Sequence, residues 1–197
     1  GALLDDKGKA KLRSLTEEAG KLGLTFSQNL LKENKAFSLL ITDESQLEGL
    51  PETVREAAHD AAKEAGKEGW LFTLDAPSYG PFMMYSTQRD LRKKMYMARA
   101  TQGTHDNDNN NLEVCKRIIN IRREMAQLLG YSTYADYVMK YRMASNVKNV
   151  YKLLDDLIDA YKPTAEEEQE AVRELAKKEQ GSDFEVMPWD NAFYSHK

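Results

Sequence analysis

The sequence predicts a mainly α protein, a helical bundle-like array with a minor two-stranded β element. Three observations carry that reading. Apolar residues recur at helical spacing through most of the 197 positions. Only two short runs concentrate aromatic or branched residues without that period. No internal repeat or low-complexity tract separates the periodic segments.

Leu12, Leu15, Ala19 and Leu22 give the opening helix one apolar face that runs on through Phe26 and Leu30. Gly20 and Gly23 weaken its middle by about 1 kcal/mol each relative to alanine. Ala36 to Thr42 and Trp70 to Asp75 are the two predicted strands. Between them, Pro51 at a first helical position opens an Ala- and Glu-rich helix that ends near Gly66. The spacing leaves open whether the strands pair parallel or antiparallel. Pro77 and Pro81 bracket a turn, after which Leu91, Met95 and Ala98 restart a helix. Val114, Ile118, Ile121, Met125 and Leu128 form the clearest stripe, stopped by Gly130. Thr133 caps a short aromatic helix expected to reach Met143. Val147, Val150, Leu154, Leu157 and Tyr161 make another stripe, which Pro163 is expected to break or kink. Glu166 to Lys178 resumes it, and Gly181 ends it. The chain is read as one helical region, 1–197, with a possible internal boundary near 103–111.

A net charge of −4, with Lys and Arg interleaved among acids, argues against a nucleic-acid partner. No stretch is apolar enough for a membrane span. The single cysteine, Cys115, cannot form an internal disulfide, and its place on an apolar stripe reads as a small buried hydrophobe. A start at Gly1 and a stop at Lys197 within a helix-like pattern read as cut ends of a longer protein.

The candidate sites each have a plainer reading. His105 to Asn111 places Asp106, Asp108 and Asn110 as a calcium loop would. Asn111 then stands where glycine is needed and Arg117 where the bidentate glutamate is needed. A loop capping the next helix is the better account. His59-Asp60 is a lone pair on an amphipathic helix. Glu166, Glu167, Glu168 and Glu170 read as a solvated face favoured at the start of a helical segment. Tyr79, Phe82, Met83, Met84, Tyr85, Met95, Tyr96 and Met97 form either an interior packing layer or an adaptable binding surface. No histidine stands four residues after His59, His105 or His196, so the H-E-x-x-H helix that presents two imidazoles to one zinc ion is absent. No catalytic, cofactor-binding or metal-binding residue is assigned.

Several segments, in order, resemble the thimet oligopeptidase, oligopeptidase A and peptidyl-dipeptidase family of zinc metallopeptidases. They are Asn34 to Phe37, Leu47 to Pro51, Gly69 to Leu74 with Pro77 to Pro81, Gln88 to Arg92, Leu128 to Tyr131, Tyr134 to Tyr137, Met143-Ala144, and Pro188 to Asp190 with Phe193-Tyr194. Within the family the resemblance leans toward bacterial peptidyl-dipeptidases. Phe193 departs from the tyrosine of many relatives. The resemblance implies two helical halves walling a channel for short peptides. It also implies zinc in a parent protein, held by a catalytic half that lies further along the chain. The absence of disulfide pairs fits a cytoplasmic location for that parent. This portion would build a channel wall without a cofactor of its own. The alternative is a stand-alone helical binding module that uses the Met–aromatic surface around Phe82 to Met97.

Overall fold

The computed structural model describes all 197 residues, Gly1 to Lys197. They form α1 (Asp6–Ala36), β1 (Leu39–Ile41), a 3₁₀ turn (Glu44–Leu47), α2 (Glu52–Glu64), β2 (Trp70–Phe72), α3 (Ala76–Tyr85), α4 (Arg89–Ala100), α5 (Leu112–Leu128), α6 (Tyr134–Met139), α7 (Val147–Gln180) and α8 (Asn191–Ser195). The fold is mainly helical with one small sheet, as the periodicity predicts. The chain divides into two compact units, Gly1–Asn29 with Asp106–Ala165 and Leu30–His105 with Glu166–Lys197.

The second unit has a hydrocarbon core. β1 and β2 pair antiparallel, with Leu39 opposite Phe72 and Ile41 opposite Trp70. Leu39, Ile41, Leu47, Leu50, Phe72 and Phe82 are buried together in it. Phe72 and Phe82 meet edge to face with centroids 4.7 Å apart, a geometry that suits the ring quadrupoles. α2 contributes Ala58 and Ala62, whose small side chains allow close packing on the sheet. Two glycines make the chain reversals possible. Gly49 (φ +86°) and Gly69 (φ +111°) lie in the left-handed region, and a Cβ there would come 2.3 Å from the carbonyl oxygens of Tyr85 and Ile41 respectively.

Four expectations need correction. Pro77 and Pro81 lie within α3 and do not bracket a turn. Pro77 sits in the first turn, where no intrahelical donor is needed, and Pro81 forfeits one bond to the exposed Pro77 carbonyl. Burial of Phe82 and Met83 in the core offsets that loss. Of the break or kink expected at Pro163, the break does not occur: α7 runs as one helix of 34 residues. The Asp159 carbonyl that loses its donor is on an exposed stretch, open to solvent. α6 ends at Met139, short of Met143, because the chain passes through two turns and a left-handed Ser145 (φ 59°). Asn146 then accepts the Asn149 amide at 2.9 Å to start α7. Cys115 is half-buried, not buried, since its stripe leaves one edge of α5 open.

In the first unit, the buried apolar residues are Leu15, Ile121 and Ala126. Polar contacts supplement them. The Asn111 amide donates to the Phe26 carbonyl (3.1 Å), and its oxygen accepts from buried Asn29 (3.0 Å). Arg117 grips Glu18 with two bonds of 2.6 and 2.7 Å and reaches Glu124 at 3.0 Å. These bonds raise the Arg117 pKa, and the hydrogen bond from Arg117 lowers that of Glu18.

Gly69→Ala and Gly49→Ala should each destabilise the second unit by at least roughly 1–3 kcal/mol, the cost of a strained backbone position. Urea unfolding checks this, and an unchanged midpoint in both variants would contradict the close approaches described.

Candidate functional site

The three histidines lie on different elements and have different partners. His59 stands exposed on α2 beside an open cleft of about 520 Å³, lined by Glu52, Arg55, Glu56, Asp60 and Trp70 among others. His105, after α4, places Nδ1 2.5 Å from the nearly buried Glu33 carboxylate and Nε2 3.0 Å from the Thr101 hydroxyl. His196 caps α8, with Nδ1 2.6 Å from the Phe193 carbonyl and its ring against Tyr85. The fold thus brings an acid, Glu33, to the Thr101–His105 pair. The Thr101 hydroxyl, however, donates to the Met97 carbonyl at 2.7 Å as an ordinary helix-terminal hydroxyl does. No group of three or more His, Cys, Asp or Glu side chains converges that could hold a metal ion. The donor set of this chain therefore does not fit a zinc site.

The polar loop before α5 folds on its own side chains and meets the first amide of the helix, although the N-cap residue Asn111 makes no side-chain capping bond. The Asn110 side chain accepts the Leu112 amide at 2.9 Å, and Asn107 accepts that of Asn109 at 2.8 Å. Arg117, at the place of a calcium-loop glutamate, serves instead as the clamp on Glu18. Glu167, Glu168 and Glu170 are exposed, with Glu170 paired to Arg173 at 2.8 Å. The Met–aromatic run is mostly interior: Phe82, Met83 and Met95 are buried, while Met84 and Met97 reach the surface. The binding surface around Phe82 to Met97 is thus a packing layer, because α3 and α4 turn these side chains onto the sheet.

The most highly organised polar centre brings together two of the segments that carry the resemblance, Gln88 to Arg92 and Pro188 to Tyr194. Asp190 is fully buried. Its Oδ1 accepts from Arg92 Nη2 at 2.8 Å, and its Oδ2 accepts from Arg89 Nη2 at 2.7 Å and from the Met187 amide at 3.0 Å. Arg92, only 2% exposed, also donates from Nη1 to the Ser86 carbonyl (2.7 Å) and from Nε to the Trp189 carbonyl (3.2 Å). Its guanidinium lies 4.1 Å from the Phe193 ring centre, and that of Arg89 lies 4.3 Å from Phe184. Burial opposes the Asp190 charge, yet the hydrogen bonds from Arg89, the Met187 amide and Arg92 outweigh it and hold the carboxyl below its ordinary pKa. The same hydrogen bond raises that of Arg89. Sequence reasoning quoted both motifs without joining them, since 98 residues separate Arg92 from Asp190. Two arginines one turn apart and a Trp-Asp pair were the available signals.

Residues 82–197, more than half of the sequence, match Peptidase family M3. The chain belongs to that family. It is 36% identical over 201 residues to oligopeptidase A of Escherichia coli (strain K12), covering 100% of this chain and 29% of that protein. Against oligopeptidase A of Haemophilus influenzae the identity is 35% with the same coverage. Against dipeptidyl carboxypeptidase of Escherichia coli it is 31% over 198 residues, again 100% and 29%. Identity is thus higher to the oligopeptidases A, which reverses the leaning toward peptidyl-dipeptidases. The chain spans about 29% of the length of these relatives. No helix is long and apolar enough to cross a membrane.

Asp190→Asn keeps the shape but leaves Arg92 buried without its counter-charge, so it should cost roughly 3–5 kcal/mol in urea unfolding. Arg89→Ala should cost less, because that side chain is 40% exposed. The Asp190 carboxylate contributes stability that is complete above the ordinary aspartate pKa of about 3.9. That contribution is lost as pH falls through the depressed native value. The acid limb of stability against pH should accordingly flatten in Asp190→Asn. An unaltered acid limb would remove the electrostatic account.

Proposed function

We propose that this chain is the N-terminal to central helical region of a zinc-dependent oligopeptidase or peptidyl-dipeptidase that hydrolyses short peptides. Within it, the chain builds part of a channel wall and carries no reacting group. The observation that supports this most directly is the coverage: all of this chain aligns with M3 peptidases, yet only 29% of their length is engaged. The lack of convergent metal ligands in these residues agrees with zinc being held by another part of the parent. Bound there, zinc would supply Lewis acidity and an activated water. The task of the present residues is then positional, since a wall must keep its shape while peptides enter and leave. The buried Asp190 centre suits that task, because it ties the start of α4 to the segment before α8. The segment 103–111 is taken as the internal boundary of this region. A cytoplasmic parent belongs to the same proposal, in keeping with a single cysteine and no internal disulfide.

Two measurements test it. The coding sequence past Lys197 should contain an in-frame H-E-x-x-H, and a stop codon directly after Lys197 would overturn the parent reading. The purified 197-residue chain, offered a quenched fluorescent short peptide, should show no chelator-sensitive turnover. Such turnover by the pure chain would show that reacting groups reside in it after all.

A further inference from the structure

The N-terminal half of α7 has an apolar face wider than any lone helix needs. Along residues 147–162, numbered as a heptad with Val147, Leu154 and Tyr161 at position a, every b, c and f residue is charged or amide: Lys148, Asn149, Lys152, Asp155, Asp156, Asp159 and Lys162. Position d holds Val150 and Leu157, e holds Tyr151 and Ile158, and g holds Leu153 and Ala160. All four of these rows are apolar. Yet residues 151–171 include no buried or half-buried position. Tyr151, Leu153, Ile158 and Tyr161 are each more than half exposed.

The width of this face specifies what covers it. A two-stranded coiled coil buries only a and d and places charged residues at e and g. A second copy docked that way would leave Tyr151, Leu153, Ile158 and Ala160 facing water. Apolar residues at a, d, e and g instead fit a helix that packs against two neighbours in a bundle. The relatives have more than twice as many residues outside the matched stretch as within it, ample for two such helices. We propose that the 147–161 face of α7 seats two helices from the part of the peptidase that lies outside this chain. The inference rests on the functional reading above and adds the site and geometry of contact.

Cysteine labelling tests it, in a Cys115→Ser background that removes the native thiol. Leu157→Cys reports the apolar face and Asp156→Cys the polar one. In the isolated chain both should react with a maleimide at similar rates. The chain is then placed in Escherichia coli oligopeptidase A in exchange for the stretch it matches. There, Leu157→Cys should slow by roughly ten-fold or more, since a covered position reacts only through local opening, while Asp156→Cys keeps its rate. If the exchanged protein does not fold, the isolated chain is titrated with the separately produced remainder of that oligopeptidase, with the same expectation. Unslowed Leu157→Cys labelling in the folded format overturns the docking face. So does protection in the isolated chain that disappears on dilution, which would make a second copy the occupant. Peptide hydrolysis by the exchanged protein is scored apart. An inactive protein with a protected Leu157→Cys refutes the peptidase reading and keeps the docking face, whereas an active one with a reactive Leu157→Cys refutes the docking face alone.

Discussion

The buried carboxylate of Asp190 governs the second unit. Its negative charge lies between two guanidinium groups, and every donor nitrogen of Arg92 has an acceptor, in Asp190, the Ser86 carbonyl or the Trp189 carbonyl. Removing these charges from water is expensive, so the net gain over an apolar filling is modest. What the arrangement supplies is uniqueness, because any shift of α4 against the 185–190 segment strands a buried charge. The aromatic residues follow from it. Phe193 and Phe184 lie over the two guanidinium groups, and Trp189 packs beside Tyr96 with centroids 6.0 Å apart. The short α8 forms where Phe193 and Tyr194 are held in this way, against Ala176 of α7.

The two units are stabilised differently. The second has a continuous apolar cluster around β1 and β2. The first has few buried apolar residues, and its Arg117 network is partly exposed, where ion pairs contribute little. Its most protected polar contact is Asn29 with Asn111, which joins α1 to the start of α5. The first unit includes the uncovered stretch of α7, so its apolar pattern exceeds what its own residues bury.

Several of the motifs that carry the family likeness are positions of backbone and packing constraint. At Gly49 and Gly69 a Cβ would lie only 2.3 Å from a backbone carbonyl oxygen and would collide with it. Leu71 and Phe72 are buried strand residues, and Arg89, Arg92 and Asp190 are the ionic centre. Such sites, which tolerate few residue types, leave an ordered signature along the chain.

Much of the fold was legible in the sequence. Four helical stripes and two short aromatic runs specified helices and strands, since burying one face requires apolar residues at the period of the element. The zinc motif was visibly missing for the equally local reason that its two histidines must stand four residues apart. Tertiary structure decided what depends on distant partners. Local rules read Pro77 and Pro81 as a turn, but burial of Phe82 and Met83 made that segment α3. Periodicity could not orient the strands, and the backbone pairing of Leu39 with Phe72 made them antiparallel. The Met–aromatic run was ambiguous until the sheet packed against it, and Thr101, His105 and Glu33 met only through the fold. Arg92 and Asp190 are ordinary charged residues in the sequence. Only the tertiary structure, which removes both from water, turned them into a pair that neither can leave.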